Sequence, residues 1–367
     1  MNKFITLISA SAAAVALLAS CQTQNAPKNE ALAGNAAEAS VRAEGSFESD
    51  SAALVALYNK TQGADWFRHR AWLTSAPLDE WQGVTVKDVN GERRVVSLRI
   101  GGNNLQGTIP AEVGTLGALE VLDMGYNYHL EGSIPAEIYN LRNLVVLRLS
   151  FTNLTGELSR AIGNLAKLDT LDLRTSKWVH GGSSFDANPN LFTGAIPAEI
   201  GNLTNARFLD LSRQGFSGAI PAEIGNMSAL NYLDLSNTKV SGNLPATLGD
   251  LKNLRILWIN DARLTGEIPA RLYGATSLKE IRMARNAFSG RLPEGIGSLK
   301  ELEDLDLTGN NLEGELPAEM AVMPKLSLVY LTLNRFSGVA PQFGLAHLGG
   351  YTHFVLEPQQ EGFGFDK

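Results

Sequence analysis

Residues 209–233 read LDLSRQGFSGAIPAEIGNMSALNYL. Leu209 and Leu211 are separated by one residue, so in a short extended segment both point to the same side. Gly218 follows, able to take a left-handed turn, and Pro221 then fixes the backbone. The arrangement recurs along the chain, as G-S-I-P at 132–135 and G-R-L-P at 290–293. With the leading aliphatic as marker, the units start at Leu98, Leu122, Leu147, Leu171, Leu209, Leu233, Leu257, Ile281, Leu305 and Val329. The steps between them are 24, 25, 24, 38, 24, 24, 24, 24 and 24 residues. A fixed period of this length marks a solenoid, in which each coil packs only on its neighbours.

The whole unit follows L-x-x-L-x-L-x-x-N-x-L-x-G-x-I-P-x-x-I/L-G-x-L. Its L-x-L segment is a short strand, and stacking ten of them at about 4.8 Å gives a ribbon roughly 45–50 Å long. An inward asparagine at the ninth position is expected to bond the backbone of the neighbouring loop. Asn103, Asn127, Asn190, Asn286, Asn310 and Asn334 hold that position, and Thr152, Gln214, Thr238 and Ala262 depart from it, so the ladder should break in mid-chain. Over about residues 50–341 the pattern resembles the plant-specific class of leucine-rich repeats, as in receptor-kinase ectodomains and polygalacturonase inhibitors. The resemblance implies an α/β leucine-rich-repeat solenoid. A curved parallel β-ribbon would line its concave face, and short helical or 3-10 turns and loops its convex face.

The expected organisation is a signal peptide over 1–20, a tether over 21–47, an N-terminal cap over 48–97, ten repeats over 98–341 with an insertion at 174–187, and a C-terminal cap over 342–367. Residues 1–20 start basic (Lys3), continue apolar and end Leu18-Ala19-Ser20-Cys21, a secretory signal. That ending resembles the bacterial lipobox, which implies cleavage before Cys21 and acylation of it. Cys21 is the only cysteine, so no intramolecular disulfide is possible. More than one acyl chain makes anchoring stable, at roughly 0.8 kcal/mol per buried CH₂. Gln22 replaces the aspartate of the inner-membrane retention signal, which points to the outer membrane, on either its periplasmic or its cell-surface side. Residues 22–47 are polar and Ala-rich and read as a flexible tether.

Residues 50–60 fit an amphipathic cap helix, with Asp50 or Ser51 as N-cap and Leu54, Leu57 and Tyr58 on one face. Trp66, Trp72 and Trp81 follow. Two readings stand for them, packing within a small cap that lacks cysteines, or a platform for stacking sugars. The stretch L-D-E-W-Q-G-V at 78–84 resembles the plant-type N-terminal cap, in its bacterial, cysteine-free form. At the other end, Val355 stands one period after Leu331 and marks a last strand-like coil.

Residues flanking the strand leucines point to the concave face. The middle position gives Arg99, Asp123, Arg148, Asp172, Asp210, Asp234, Trp258, Arg282, Asp306 and Tyr330. A second ladder, two residues past each second leucine, includes Tyr126, Phe151, Arg213 and Arg285. Arginine and aromatic side chains are common anchors of binding, although L-D-L is also plain consensus. Asp172, Asp210 and Asp234 on successive strands would repel unless neutralised. Calcium could do that, but Arg148 and Arg213 lie close in register, and no metal is expected. The insertion R-T-S-K-W-V-H-G-G-S-S-F-D-A leaves the sheet at the rim of that face and carries Trp178, His180 and Phe185 as candidate contacts.

The chain has 367 residues and a formal net charge of −7, which argues against a nucleic-acid binder. His69, His129, His180, His347 and His353 form no catalytic or metal-binding motif, and no P-loop, G-x-S-x-G or C-x-x-C is present. No enzyme activity and no cofactor are expected. The leading expectation is a monomeric outer-membrane lipoprotein whose concave face binds a protein or a polysaccharide. An inhibitor of secreted glycan-degrading enzymes is the alternative, and a passive adhesion module a third.

Overall fold

The computed structural model describes residues 46–175, 191–341, 353–361 and 364–366. Cys21, the tether, Asn190 and the insertion residues Trp178, His180 and Phe185 lie outside them. The described residues belong to one compact unit, Ala43–Lys367.

The described residues open with helix α1 (Phe47–Lys60), which starts earlier than the sequence suggests. Its N-cap is Ser46, whose hydroxyl accepts the Ser49 N–H while the Ser49 hydroxyl accepts the Ser46 N–H. That reciprocal box satisfies two end donors, and Asp50 is thereby free for another task. Its carboxylate is fully buried and accepts from Arg94 Nε and Nη2 at 2.9 Å each and from the Val95 N–H at 2.8 Å. A buried pair with every acceptor engaged fixes where the helix sits against the first hairpin. Trp66, Trp72 and Trp81 are almost fully buried and touch one another, with ring centroids 4.9 and 5.0 Å apart. They pack the cap, and as placed they offer no open face to a sugar.

The sheet begins with β1 (Val84–Val89) antiparallel to β2 (Glu92–Arg99). Ten three-residue strands then add in parallel and in chain order, from β3 (Val121–Asp123) and β4 (Val146–Arg148) to β12 (His353–Val355), making a twelve-stranded sheet. Register is carried by the leucines: Leu98 pairs Leu122, Leu122 pairs Leu147, and Leu209 pairs both Leu171 and Leu233. These side chains are at or near zero exposure and belong to one continuous apolar core. The last coil departs from the expected period, because Val355 pairs with Tyr330 and not with Leu331. A one-residue slip exchanges the faces of a strand, so the final step is one residue longer than the marker spacing suggested.

Opposite the sheet, a short 3-10 helix follows each proline or its substitute, as in Ala222–Asn226 after Pro221. In the third repeat Ser159 replaces proline, and its hydroxyl accepts the Ala161 N–H instead. A second set of short parallel strands lies between the two faces, in sheets of three, two and seven. The second glycine of the unit serves close approach. A Cβ on Gly225 would stand 2.5 Å from Thr247 Cβ.

The asparagine position explains how coils are tied together. Asn310 Nδ2 donates to Leu307 O in its own coil and to Met283 O in the previous one, and its Oδ1 accepts the Phe288 N–H. Thr152 and Thr238 reach only the carbonyl three residues back, at 2.8 and 2.7 Å. Gln214, expected as a break, still ties its coil to the previous one, accepting from the Phe192 N–H and donating to Leu173 O. Gln359 extends the ladder into the last coil by accepting the Phe336 N–H and donating to Leu331 O. The inter-coil ties are therefore missing at Thr152, Thr238 and Ala262.

Candidate recognition surface on the sheet face

From Gly102 to Leu333, most repeat strands are followed by a residue in the left-handed region, Thr175 being an exception. Among the sequence candidates these are Tyr126 (φ 58°), Phe151 (56°), Arg213 (60°) and Arg285 (53°). For residues other than glycine and asparagine this conformation costs of order 1 kcal/mol or more. It is held because the N–H of each bonds the next coil, as Tyr126 to Ser150 O at 2.7 Å and Phe151 to Arg174 O at 2.9 Å. The turn throws these side chains to the rim of the sheet face. Tyr126 is 46% exposed, and its ring stacks on Phe151 with centroids 4.6 Å apart.

The middle strand positions stand in one row, paired in register from Arg99 with Asp123 to Asp306 with Tyr330. The aspartates do structural work there. Asp123, Asp210, Asp234 and Asp306 each accept the N–H of the residue two further on, which holds the turn. Arg148 lies between Asp123 Oδ2 (3.1 Å) and Asp172 Oδ2 (3.5 Å). The residue between Asp172 and Asp210 is Arg174, at 3.5 and 3.2 Å, which strand alternation alone did not put forward. Asp234 is 7% exposed and accepts hydrogen bonds from the Ser236 N–H and the Tyr232 hydroxyl. Burial pushes the Asp172 carboxyl up to about 6, opposed by Arg174 and reinforced by Asp210. Burial and Asp210 also push Asp234 up to about 6, and Asp210 itself is raised by burial. Among the described residues no group of three or more His, Cys, Asp or Glu is arranged to hold a metal.

Further along, Arg282 bridges Glu280 and Asp304, and Arg285 grips Asp261 through two hydrogen bonds of 2.5 and 2.6 Å. Trp258 sits under Arg282, whose guanidinium carbon is 5.1 Å from the ring centroid. Two aromatics that the middle-position reading left out complete the row. Phe208 stacks on Tyr232 at 4.5 Å, and Tyr232 meets Trp258 edge-on at 5.5 Å. Both precede a leading leucine, so alternation puts them on the same face as the position after it.

The sheet face is not uniform. Over the first coils it holds a cavity of about 650 Å³, walled by Arg99, Tyr126, Arg148, Asp172, Arg174 and Phe208. Volumes of this order accommodate small-molecule ligands. A smaller cavity of about 230 Å³ lies at the rim beside Thr238 and Ala262, where the asparagine ties are missing. Among the described residues no helix is long and apolar enough to cross a membrane.

The family model described as Leucine Rich Repeat matches residues 143–165, 229–251 and 301–323. A probable leucine-rich repeat receptor-like protein kinase of Arabidopsis thaliana is 37% identical over 83 residues, which are 22% of this chain and 8% of that protein. The solved structure of the plant peptide hormone receptor RGFR1 in complex with RGF2 is 33% identical with a TM-score of 0.62, covering 71% of this chain and 42% of that one. A plant ice-binding protein is 27% identical with a TM-score of 0.66, over 82% of this chain and 90% of that one. The chain thus spans under a tenth of that receptor-like kinase and less than half of the receptor structure. In its fold this chain is a leucine-rich-repeat solenoid, similar to the ectodomain of a plant peptide hormone receptor.

Proposed function

We propose that this protein is a lipid-anchored recognition protein of the bacterial outer membrane that binds a macromolecular ligand across its sheet face. The observation that carries the reading is the cavity over the first coils, where arginines and aromatics meet on a scaffold fixed by parallel pairing. Aromatic and arginine side chains supply most of the binding energy in typical interfaces. Backbone strain at Tyr126 and Phe151 supports it, since strained positions concentrate where they serve a function. The named complex of RGFR1 with RGF2 supports ligand binding on a scaffold of this kind. The lipobox-like Leu18-Ala19-Ser20-Cys21 supports the anchor, and the polar stretch after it supports display at a distance from the membrane. A recognition module needs no catalytic group, and the scarcity of catalytic motifs agrees with that role.

Two experiments test the two halves. Cys21→Ala should move the protein from the membrane fraction to the soluble one, and continued membrane association would end the anchoring claim. For recognition, the full chain should capture its envelope or surface ligand. The combined variant Arg148→Ala, Phe151→Ala and Phe208→Ala should lose that capture while Arg160→Gln, on the 3-10 helix side, keeps it. Equal capture by both variants would remove the sheet face as the binding surface.

A further inference from the structure

Within the larger cavity the first two coils form a slot of distinct chemistry. One face of the Tyr126 ring lies against Phe151. On its other side the neighbouring rung is Gly102, which has no side chain to cover the ring. Gly101 is confined as well, since a Cβ there would stand 3.0 Å from Asp123 Oδ1 and 3.1 Å from Gly125 O. The floor of the slot is therefore bare backbone. Across it, Arg68 is held by the carbonyls of Gly101 and Gly102. Arg99 also faces the cavity, is exposed, and its side chain makes no hydrogen bond or ion pair among the described residues. Arg148 and Arg174, by contrast, are already engaged by Asp123, Asp172 and Asp210.

The floor has little to give a peptide backbone. The Gly102 N–H bonds Gly125 O, the Gly101 and Gly102 carbonyls take Arg68, and Asp123 Oδ1 takes the Gly125 N–H. A peptide strand laid there would leave its own amides without partners. A sugar ring needs less of the backbone, because its hydroxyls reach outward to side chains such as Asp123 and Arg148 and its apolar face suits an uncovered aromatic ring. The free guanidinium then calls for a negative charge on that sugar, which it binds through two parallel hydrogen bonds.

We infer that the slot between the Tyr126 ring and the guanidiniums of Arg68 and Arg99 is a subsite for an acidic sugar, its ring stacked on Tyr126 and its carboxylate paired with Arg99. This rests on the sheet face being the recognition surface, and it names the class of ligand. Asp123 and Arg148, which keep acceptor and donor capacity beyond the bonds they already make to each other and to Gly125, bond ring hydroxyls, and the anion contributes affinity that salt screens.

The test is binding of short alginate oligosaccharides to the full chain by calorimetry, with neutral mannan oligosaccharides and polyglutamate as comparison probes. The expected result is binding of alginate alone, weakened by salt. Arg99→Gln and Tyr126→Ala should each weaken it about tenfold or more, the loss expected for a charge-assisted bond or an aromatic contact. Arg160→Gln should leave it unchanged, Arg99→Gln should keep the wild-type melting temperature because that side chain is exposed, and Tyr126→Ala should lower it only by the lost stack on Phe151. Absence of alginate binding, equal binding of mannan, equal binding of polyglutamate, or indifference to Arg99→Gln would each overturn the assignment. If alginate fails while the Arg148, Phe151 and Phe208 variant still loses its captured ligand, the recognition surface stands and only the sugar assignment falls.

Discussion

The coils that carry Asp172, Asp210 and Asp234 and the coils that carry Asn286, Asn310 and Asn334 are built from the same repeat, yet they satisfy their polar groups differently. In the later coils the asparagines tie each loop to the one before, Arg282 is held by Asp304 at 2.6 Å, and Arg285 by Asp261. In the earlier coils Asn127 and Gln214 still tie neighbouring loops, but Thr152 and Thr238 bond only their own, Arg174 spans two buried carboxylates, and the Arg99 side chain makes no hydrogen bond or ion pair among the described residues. The first arrangement spends its polar groups on holding the stack together. The second leaves charge and aromatic surface open around a cavity. Within one solenoid, the side-chain ties run unbroken from Asn286 to Gln359 and are interrupted in the half that carries the cavity.

Three substitutions bear on that contrast. The largest effect is expected from Asn310→Ala, which removes three hydrogen bonds and strands the Phe288 N–H in a buried loop. It should cost about 2–3 kcal/mol, read from chemical denaturation. A loss no greater than that of Thr238→Ala would show that the inter-coil ties are not what distinguishes the later coils. Next is Asp234→Asn. Asp234 is raised from 3.8 to about 6, so between those values the folded protein holds a proton that the unfolded chain has released. Its contribution to stability therefore falls as pH rises through that window, and the full cost of the buried charge is present above about 6. Asparagine removes the charge and retains an acceptor for the Ser236 N–H, so it should stabilise by about 1–2 kcal/mol at pH 7 and by little at pH 4. Destabilisation at pH 7 would mean that a cation already neutralises the site. The smallest effect is expected from Ala262→Asn, which restores a rung beside the 230 Å³ cavity that gives it room. A gain of about 0.5–1 kcal/mol is expected, and a loss would show that the gap there is filled by something other than a missing amide.

The period and the leucine register were legible because stacking forces every coil to present the same inward pattern. The row from Arg99 to Tyr330 is a direct consequence of that register. Other features depend on geometry that spacing does not carry. The left-handed turn at Tyr126, Phe151 and Arg285 cannot be inferred from residues that ordinarily avoid positive φ. Arg174 sits after the strand, outside strict alternation, and reaches back between two carboxylates only because its side chain is long. Phe208 and Tyr232 were accessible to alternation and were missed by following one flank of the leucines alone. Gln214 passed for a break because its side chain is one methylene longer than asparagine, although its amide makes the same two bonds to the previous coil. At the helix start Ser46 caps and Asp50 pairs with Arg94, a contact across 44 residues that no local signal announces.

The contrast between open and closed coils is tested most directly by site-specific photocrosslinking. A photoreactive amino acid placed at Tyr126 or at Leu333 occupies the same left-handed turn position, exposed in both cases, at opposite ends of the sheet face. In intact cells expressing the full chain, adducts with the ligand should form from position 126 and not from position 333. Equal adducts from both, or adducts from position 333 alone, would contradict the placement of recognition on the first coils.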